Sequence, residues 1–243
     1  MNDTLILVPT YNNAGTLQNV LQRCVEQGLP VLVVDDGSTD DTARILKQMP
    51  GQVGHDGGMM VLTHPVNKGK GQALKTGFQE ATKMGYRYVV TLDSDGQHFP
   101  EDIPLLLAQK GEKTLVVGSR SQMGANGGSS FANRFSNFWF RLFTGVRLPD
   151  TQTGFRLYPL KQLPSLAILS SRYEAELALL VFSAWKGLKL TPVAVRVAYP
   201  EDRVSHFRPG ADFLRISLLN TVLLFISLLY GWPRTFLRRI LTK

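Results

Sequence analysis

Apolar positions in this chain follow two alternating rhythms. Short runs with no polar break, Leu5-Ile6-Leu7-Val8 and Val31-Leu32-Val33-Val34, read as strands buried on both faces. Between them, from Thr16 to Gln27, apolar residues recur three and four apart, which predicts a helix closed by Gly28. The alternation continues along the chain. A helix capped by Thr39 or Asp40 runs to Gln48, a strand covers Met59–Thr63, and a helix covers Gly71 to Met84. Further strands fall at Tyr88–Leu92 and Thr114–Val117. Strands alternating with helices up to Arg120 imply an α/β fold, a Rossmann-like and mostly parallel sheet with helices on both faces. Ligands in such sheets bind at the carboxyl ends of the strands, and the polar loops of this chain all fall on that edge.

Beyond Arg120 the pattern loosens. Met123 to Ser130 is rich in Gly and Ser and reads as a loop. Phe131 to Phe143 and Tyr173 to Trp185 have helical spacing, and Val193–Ala198 returns as a strand. No internal repeat and no separating linker is visible. The expected division is therefore 1–210 for one large domain and 211–243 for a short appended segment.

Composition narrows the class. Of the 243 residues, 44% are hydrophobic and 19% charged, which indicates a globular core. A net charge of +8 suits an anionic partner: a nucleotide diphosphate, lipid phosphate, membrane headgroups or nucleic acid. Cys24 is the single cysteine, which excludes an intrachain disulfide, and its helical spacing among Leu17, Val20, Leu21 and Val25 places it in the core. The sequence opens almost directly on a strand, so no secretory leader is expected.

Chemistry concentrates at Asp93-Ser94-Asp95. Two carboxylates one residue apart, just past an apolar strand, can turn toward one hard divalent cation. The same pair also suits a solvated turn or a helix cap. Lys68 and Lys70 lie in a Gly-rich turn that suits either phosphate or a tight strand-to-helix connection, and no G-x-x-x-x-G-K-[ST] loop is present. A G-x-G-x-x-G after the first strand is missing as well, which disfavours a dinucleotide dehydrogenase. A sugar nucleotidyltransferase would carry a basic glycine-rich loop where this chain has Pro9-Thr10-Tyr11-Asn12.

Four segments in order carry a more specific signal: Val8-Pro9-Thr10-Tyr11-Asn12, Val33-Val34-Asp35-Asp36-Gly37-Ser38, Asn67-Lys68-Gly69-Lys70-Gly71 and Asp93-Ser94-Asp95-Gly96-Gln97-His98. Together they resemble family 2 glycosyltransferases of the GT-A fold. Gln97-His98, Gly118-Ser119-Arg120 and Asp150 to Arg156 are similar to the polyprenyl-phosphate, dolichyl-phosphate mannosyltransferase-like branch. The resemblance implies that Pro9, Tyr11, Asn13, Val34, Asp36, Asp93 and Ser94 lie on the nucleotide sugar, which is UDP- or GDP-linked. It implies Mg²⁺ or Mn²⁺ on Asp93, Asp95 and Gln97, and catalytic roles for Asp95, Arg120 and Asp150. It places Arg203 and Arg208 on phosphate, although this chain is one residue shorter there and lacks the glycine of the family's Arg-x-x-Gly-x-Ser-Lys. Asn13 stands where many relatives have Glu.

The implied acceptor is polyprenyl phosphate at a membrane surface, on the cytoplasmic face of the cell membrane. An ionised phosphate needs no strong general base, whereas a hydroxyl acceptor of a lipid, glycan or secondary metabolite would need one of Asp150, Glu174 and Glu176. An inactive membrane-bound scaffold is the non-enzyme alternative. Ile216 to Trp232 carries no charge over 17 residues, at the lower limit for a bilayer span. Arg234, Arg238, Arg239 and Lys243 then alternate with apolar residues, as a basic amphipathic end does. A segment lying in the leaflet is expected, with a single span as the alternative. This basic cluster accompanies an apolar segment, which favours membrane over nucleic acid.

Overall fold

The structure, a computed structural model, describes residues 3–49, 58–120, 131–166, 174–198 and 209–233. The strand–helix alternation of the sequence is realised in order: β1 (Thr4–Thr10), α1 (Ala14–Val25), β2 (Val31–Asp35), α2 (Thr42–Gln48), β3 (Met59–Thr63), α3 (Lys70–Lys83) and β4 (Tyr88–Thr91). A short 3₁₀ turn and α4 (Ile103–Leu107) lead to β5 (Thr114–Arg120). Then follow α5 (Phe131–Thr144), β6 (Arg156–Pro159), α6 (Glu174–Lys186), β7 (Lys189–Val195) and α7 (Pro209–Ile226).

Seven strands form one sheet in the order β3-β2-β1-β4-β6-β5-β7. Every neighbouring pair is parallel except the two that β6 makes, with β4 and with β5. The unbroken apolar runs follow from burial on both faces. Leu5 and Leu7 join one core cluster under α3, α5 and α6, while Ile6 and Val8 join the other under α1. Cys24 is fully buried in the second cluster, as its spacing predicts. The last turn of α5 is closed from outside: the Trp185 and Trp232 indoles donate to the carbonyls of Phe143 (2.9 Å) and Leu142 (3.1 Å).

The last strand, expected at Val193–Ala198, spans Lys189–Val195, and two further readings are refined by the structure. β6 has no apolar run; it opens on a buried arginine and closes on a proline, and its antiparallel insertion makes the sheet mixed. For the alternative of one membrane span at the C-terminus the structure offers no support. Among the described residues no helix is long and apolar enough to cross a membrane. The run is instead divided between α7 and a π turn (Ser227–Gly231). Asn220, Leu223 and Ser227 are buried on the protein side, and a Cβ on Gly231 would come within 2.5 Å of the Trp185 ring. Residues 234–243, with the basic end, lie outside the described residues.

Candidate active site

β1, β2, β4 and β5 deliver their loops to one edge. Because β6 runs antiparallel to its neighbours, the segment before it, residues 150–155, arrives at the same edge. The N-terminus of α3 arrives there too. Most of the sequence-derived site residues thus share one rim.

The first two loops are laced together. Asn12 takes a left-handed φ of 50°, its backbone N–H donates to Ser38 Oγ (2.9 Å), and its Oδ1 accepts from Thr39 N (2.8 Å). Asp40 accepts from both Thr42 N and Ala14 N, so one carboxylate serves the starts of α1 and α2. Asn13 Nδ2 donates to Ser94 Oγ (2.8 Å), and Thr16 Oγ1 donates to the Ser94 carbonyl (2.7 Å). These bonds fix the position of the Asp93-Ser94-Asp95 segment. Pro9 and Val34 are register partners within the buried sheet, and Tyr11 sits half-buried just past β1.

Asp36 is buried and already engaged. Its carboxylate accepts from Lys68 N (3.0 Å) and Gly69 N (2.6 Å), and it lies 2.6 Å from His64 Nδ1. The other ring nitrogen of His64 is 3.0 Å from Thr76 Oγ1. Asp36 therefore holds the turn that leads into α3. Gly37 completes the junction with φ at 72°, and an added Cβ would sit 2.5 Å from the Val66 backbone carbon. Gly37→Ala is expected to cost about 2 kcal/mol or more, read as a lowered Tm without a change in helix content.

Lys70 is the centre of the rim. Its Nζ lies 2.6 Å from Asp93 Oδ1 and 2.7 Å from Glu176 Oε2. Burial disfavours its charge, but the two carboxylates outweigh that and hold the ammonium above the ordinary lysine value. For Asp93 burial pushes the pKa upward, but Lys70 overcomes it, so the carboxylate is held below the usual aspartate range. The other Asp93 oxygen packs on Gly154, where a Cβ would approach it to 2.5 Å. Beneath lies Arg156, fully buried, donating to the carbonyls of Glu176 (2.9 Å) and Thr151 (3.0 Å). His98 is buried against Phe155, and burial lowers its pKa.

Asp95 Oδ1 accepts from Gln97 N (3.0 Å), and the Gln97 carbonyl accepts from Ala198 N (2.9 Å). Both side chains are half-buried at the rim. Among the described residues no three His, Cys, Asp or Glu side chains gather as a closed metal cage. Asp93, Asp95 and Gln97 supply only oxygen donors, the type a hard cation prefers, with Asp93 Oδ1 engaged by Lys70.

Arg120, at the end of β5, forms a two-pronged pair with Asp150: Nε to Oδ2 at 2.6 Å and a terminal nitrogen to Oδ1 at 3.0 Å. Asp150 is buried, and its Oδ1 also accepts from Gln152 N (3.1 Å). The structure thus brings together Asn13, Ser94, Asp93, Asp95, Gln97, Arg120 and Asp150. Arg203, Arg208 and the side chain of Glu174 lie outside the described residues. His64 had no signal in the sequence, and Arg156 entered only as the last residue of the Asp150–Arg156 segment; the contacts of each become legible only once β3 and β6 are in place.

The glycosyl transferase family 2 profile matches residues 5–160. An undecaprenyl-phosphate mannosyltransferase of Micrococcus luteus is 30% identical over 202 residues, covering 79% of this chain and 82% of its own. A UDP-N-acetylglucosamine–dolichyl-phosphate N-acetylglucosaminyltransferase of Methanococcus voltae is 28% identical over 222 residues, covering 83% and 88%. Among solved structures, glucosyl-3-phosphoglycerate synthase from Mycobacterium tuberculosis, in complex with Mn²⁺, UDP and phosphoglyceric acid, superposes with a TM-score of 0.63. It is 21% identical, with 92% of this chain and 78% of that one covered. The sheet is therefore of the GT-A type, and this chain is a glycosyltransferase of family 2, in its polyprenyl-phosphate branch.

Proposed function

We propose that this protein transfers a hexosyl group from a UDP- or GDP-sugar to polyprenyl phosphate, with inversion at the anomeric carbon. One observation carries the choice of acceptor. Asp150 and Glu176, the two candidate bases whose side chains are described, are both held in ion pairs, with Arg120 and Lys70. A hydroxyl acceptor needs a base to take its proton; a phosphate oxygen, already ionised near neutral pH, does not. Relatives named for undecaprenyl and dolichyl phosphate support the reading.

The chemistry is a single displacement. An oxygen of the acceptor phosphate attacks the anomeric carbon, the bond to the nucleotide diphosphate breaks, and its electron pair leaves with the diphosphate. Arg120, fixed in angle by Asp150, is the cation at the acceptor end, where a planar guanidinium orients phosphate. Asp93, Asp95 and Gln97 would hold Mg²⁺ or Mn²⁺, which neutralises the departing diphosphate. Tyr11 and the Asp36 turn border the nucleotide, and Arg203 and Arg208 remain candidates for its phosphates.

Purified protein in detergent, with Mg²⁺ or Mn²⁺, radiolabelled UDP- and GDP-sugars and undecaprenyl phosphate, should move label into an organic phase. EDTA and Asp95→Asn should each abolish the transfer. Organic-phase label that persists under both treatments would overturn the metal assignment.

A further inference from the structure

α7 is built inside out. Its protein-facing positions are Asn220, Leu223 and Ser227, followed by Gly231 in the π turn; three of these four are polar or small. Its outward positions through the π turn, Thr221 and Tyr230 apart, are large and apolar: Leu218, Val222, Phe225, Leu228, Leu229 and Trp232, with Leu229 83% exposed. A water-facing surface helix distributes residues the other way round. At about 100° per residue the outward set covers roughly a third of the circumference, broader than the two-position seam of a coiled coil. Phe138, 60% exposed on the neighbouring α5, widens the apolar surface beyond one helix.

The structure points to a lipid surface as the occupant. We infer that the outer face of α7, with Phe138, docks the catalytic domain onto an anionic bilayer, lying in the interface without crossing it. No charged residue occurs from Ile216 to Pro233, and Arg234, Arg238, Arg239 and Lys243 follow within ten residues, the charge sign that anionic headgroups attract. The docking face is rigidly tied to the acceptor end of the site. Asn137, one residue before Phe138, accepts from Thr151 N (3.0 Å) and donates to the Pro149 carbonyl (2.8 Å), on either side of Asp150. The Arg120–Asp150 pair is thereby joined through α5 to the lipid face, where the phosphate of a membrane-anchored acceptor lies. This orientation rests on the proposed acceptor.

The test is sedimentation of the full chain with phosphatidylcholine–phosphatidylglycerol vesicles that contain no polyprenyl phosphate. Wild type should pellet with the vesicles. The double variant Phe225→Glu and Leu229→Glu should bind about tenfold less or weaker still, with an unchanged circular dichroism spectrum and Tm. Equal binding of the variant, or wild type that stays in the supernatant, would overturn the inference. So would a lipid-free dimer in analytical ultracentrifugation that the double variant dissolves, since a second copy would then own the face. Because the readout needs no turnover, vesicle binding without lipid labelling would reject the acceptor and leave the docking face standing.

Discussion

Lys70→Met should unfold the rim of the site and end transfer. The substitution keeps the length of the side chain but leaves Asp93 and Glu176 facing each other across the gap that Nζ now fills. Removing one partner of a buried ion pair costs about 3–5 kcal/mol, and the part exposure of Asp93 puts this case near the lower end. The signs of the shifts predict the pH dependence. Asp93 is depressed in the folded state, so its contribution is present above the ordinary aspartate value of about 3.9 and fades as pH falls through its lower native value. Lys70 is raised, so its contribution holds below the ordinary lysine value and is lost only as pH climbs through its native one. The stability gap between wild type and Lys70→Met should therefore be widest near neutral pH and narrow below about pH 4, where the variant's carboxylates can protonate. Denaturant melts across that range would show it. Adding Glu176→Gln to Lys70→Met should restore part of the loss, and failure of that rescue would argue against a charge origin.

Asp150→Asn separates an anchor from a base. In the structure Asp150 has both oxygens on Arg120 and a further bond from Gln152 N, which is the environment of an anchor. Removing the anchoring charge frees the guanidinium, and transfer should fall about 10²–10³-fold, comparable with loss of one preorganised donor. Arg120→Ala should fall by a similar factor, and the double variant by little more than either, because the two act as a unit. The pH–rate profile should keep its shape in Asp150→Asn. Loss of an acid limb near the carboxylate range would instead make Asp150 the base and reopen the hydroxyl acceptor.

The legible and illegible parts of this molecule divide along physical lines. Uninterrupted apolar runs, buried on both faces in β1, β2 and β4 and only partly buried in the edge strand β3, let β1 to β5 be placed from pattern alone, and β3 matches at both ends. Helix ends drifted by one or two residues, and at the starts of α1 and α2 one carboxylate, Asp40, serves both helices. β6 escaped because four residues, Arg156-Leu157-Tyr158-Pro159, carry no alternation, and its arginine is buried by contacts from α6 and the Thr151 carbonyl. The order of polar loops pointed to one shared rim, yet the internal wiring of that rim is non-local. Lys70 meets Asp93 and Glu176 from separate elements, and His64 finds Asp36 only across the β2–β3 pair. A charge-free C-terminal run likewise signals apolar surroundings without saying that one side of it faces protein.

The proposed nucleophile is a phosphate oxygen that needs no protein base. The most direct measurement offers one labelled nucleotide sugar to undecaprenyl phosphate and to undecaprenol side by side, with wild type and Asp150→Asn in detergent with Mn²⁺. Labelled lipid is expected only from the phosphate, in reduced amount with the variant. Labelled undecaprenol from wild type, abolished in Asp150→Asn, would contradict it.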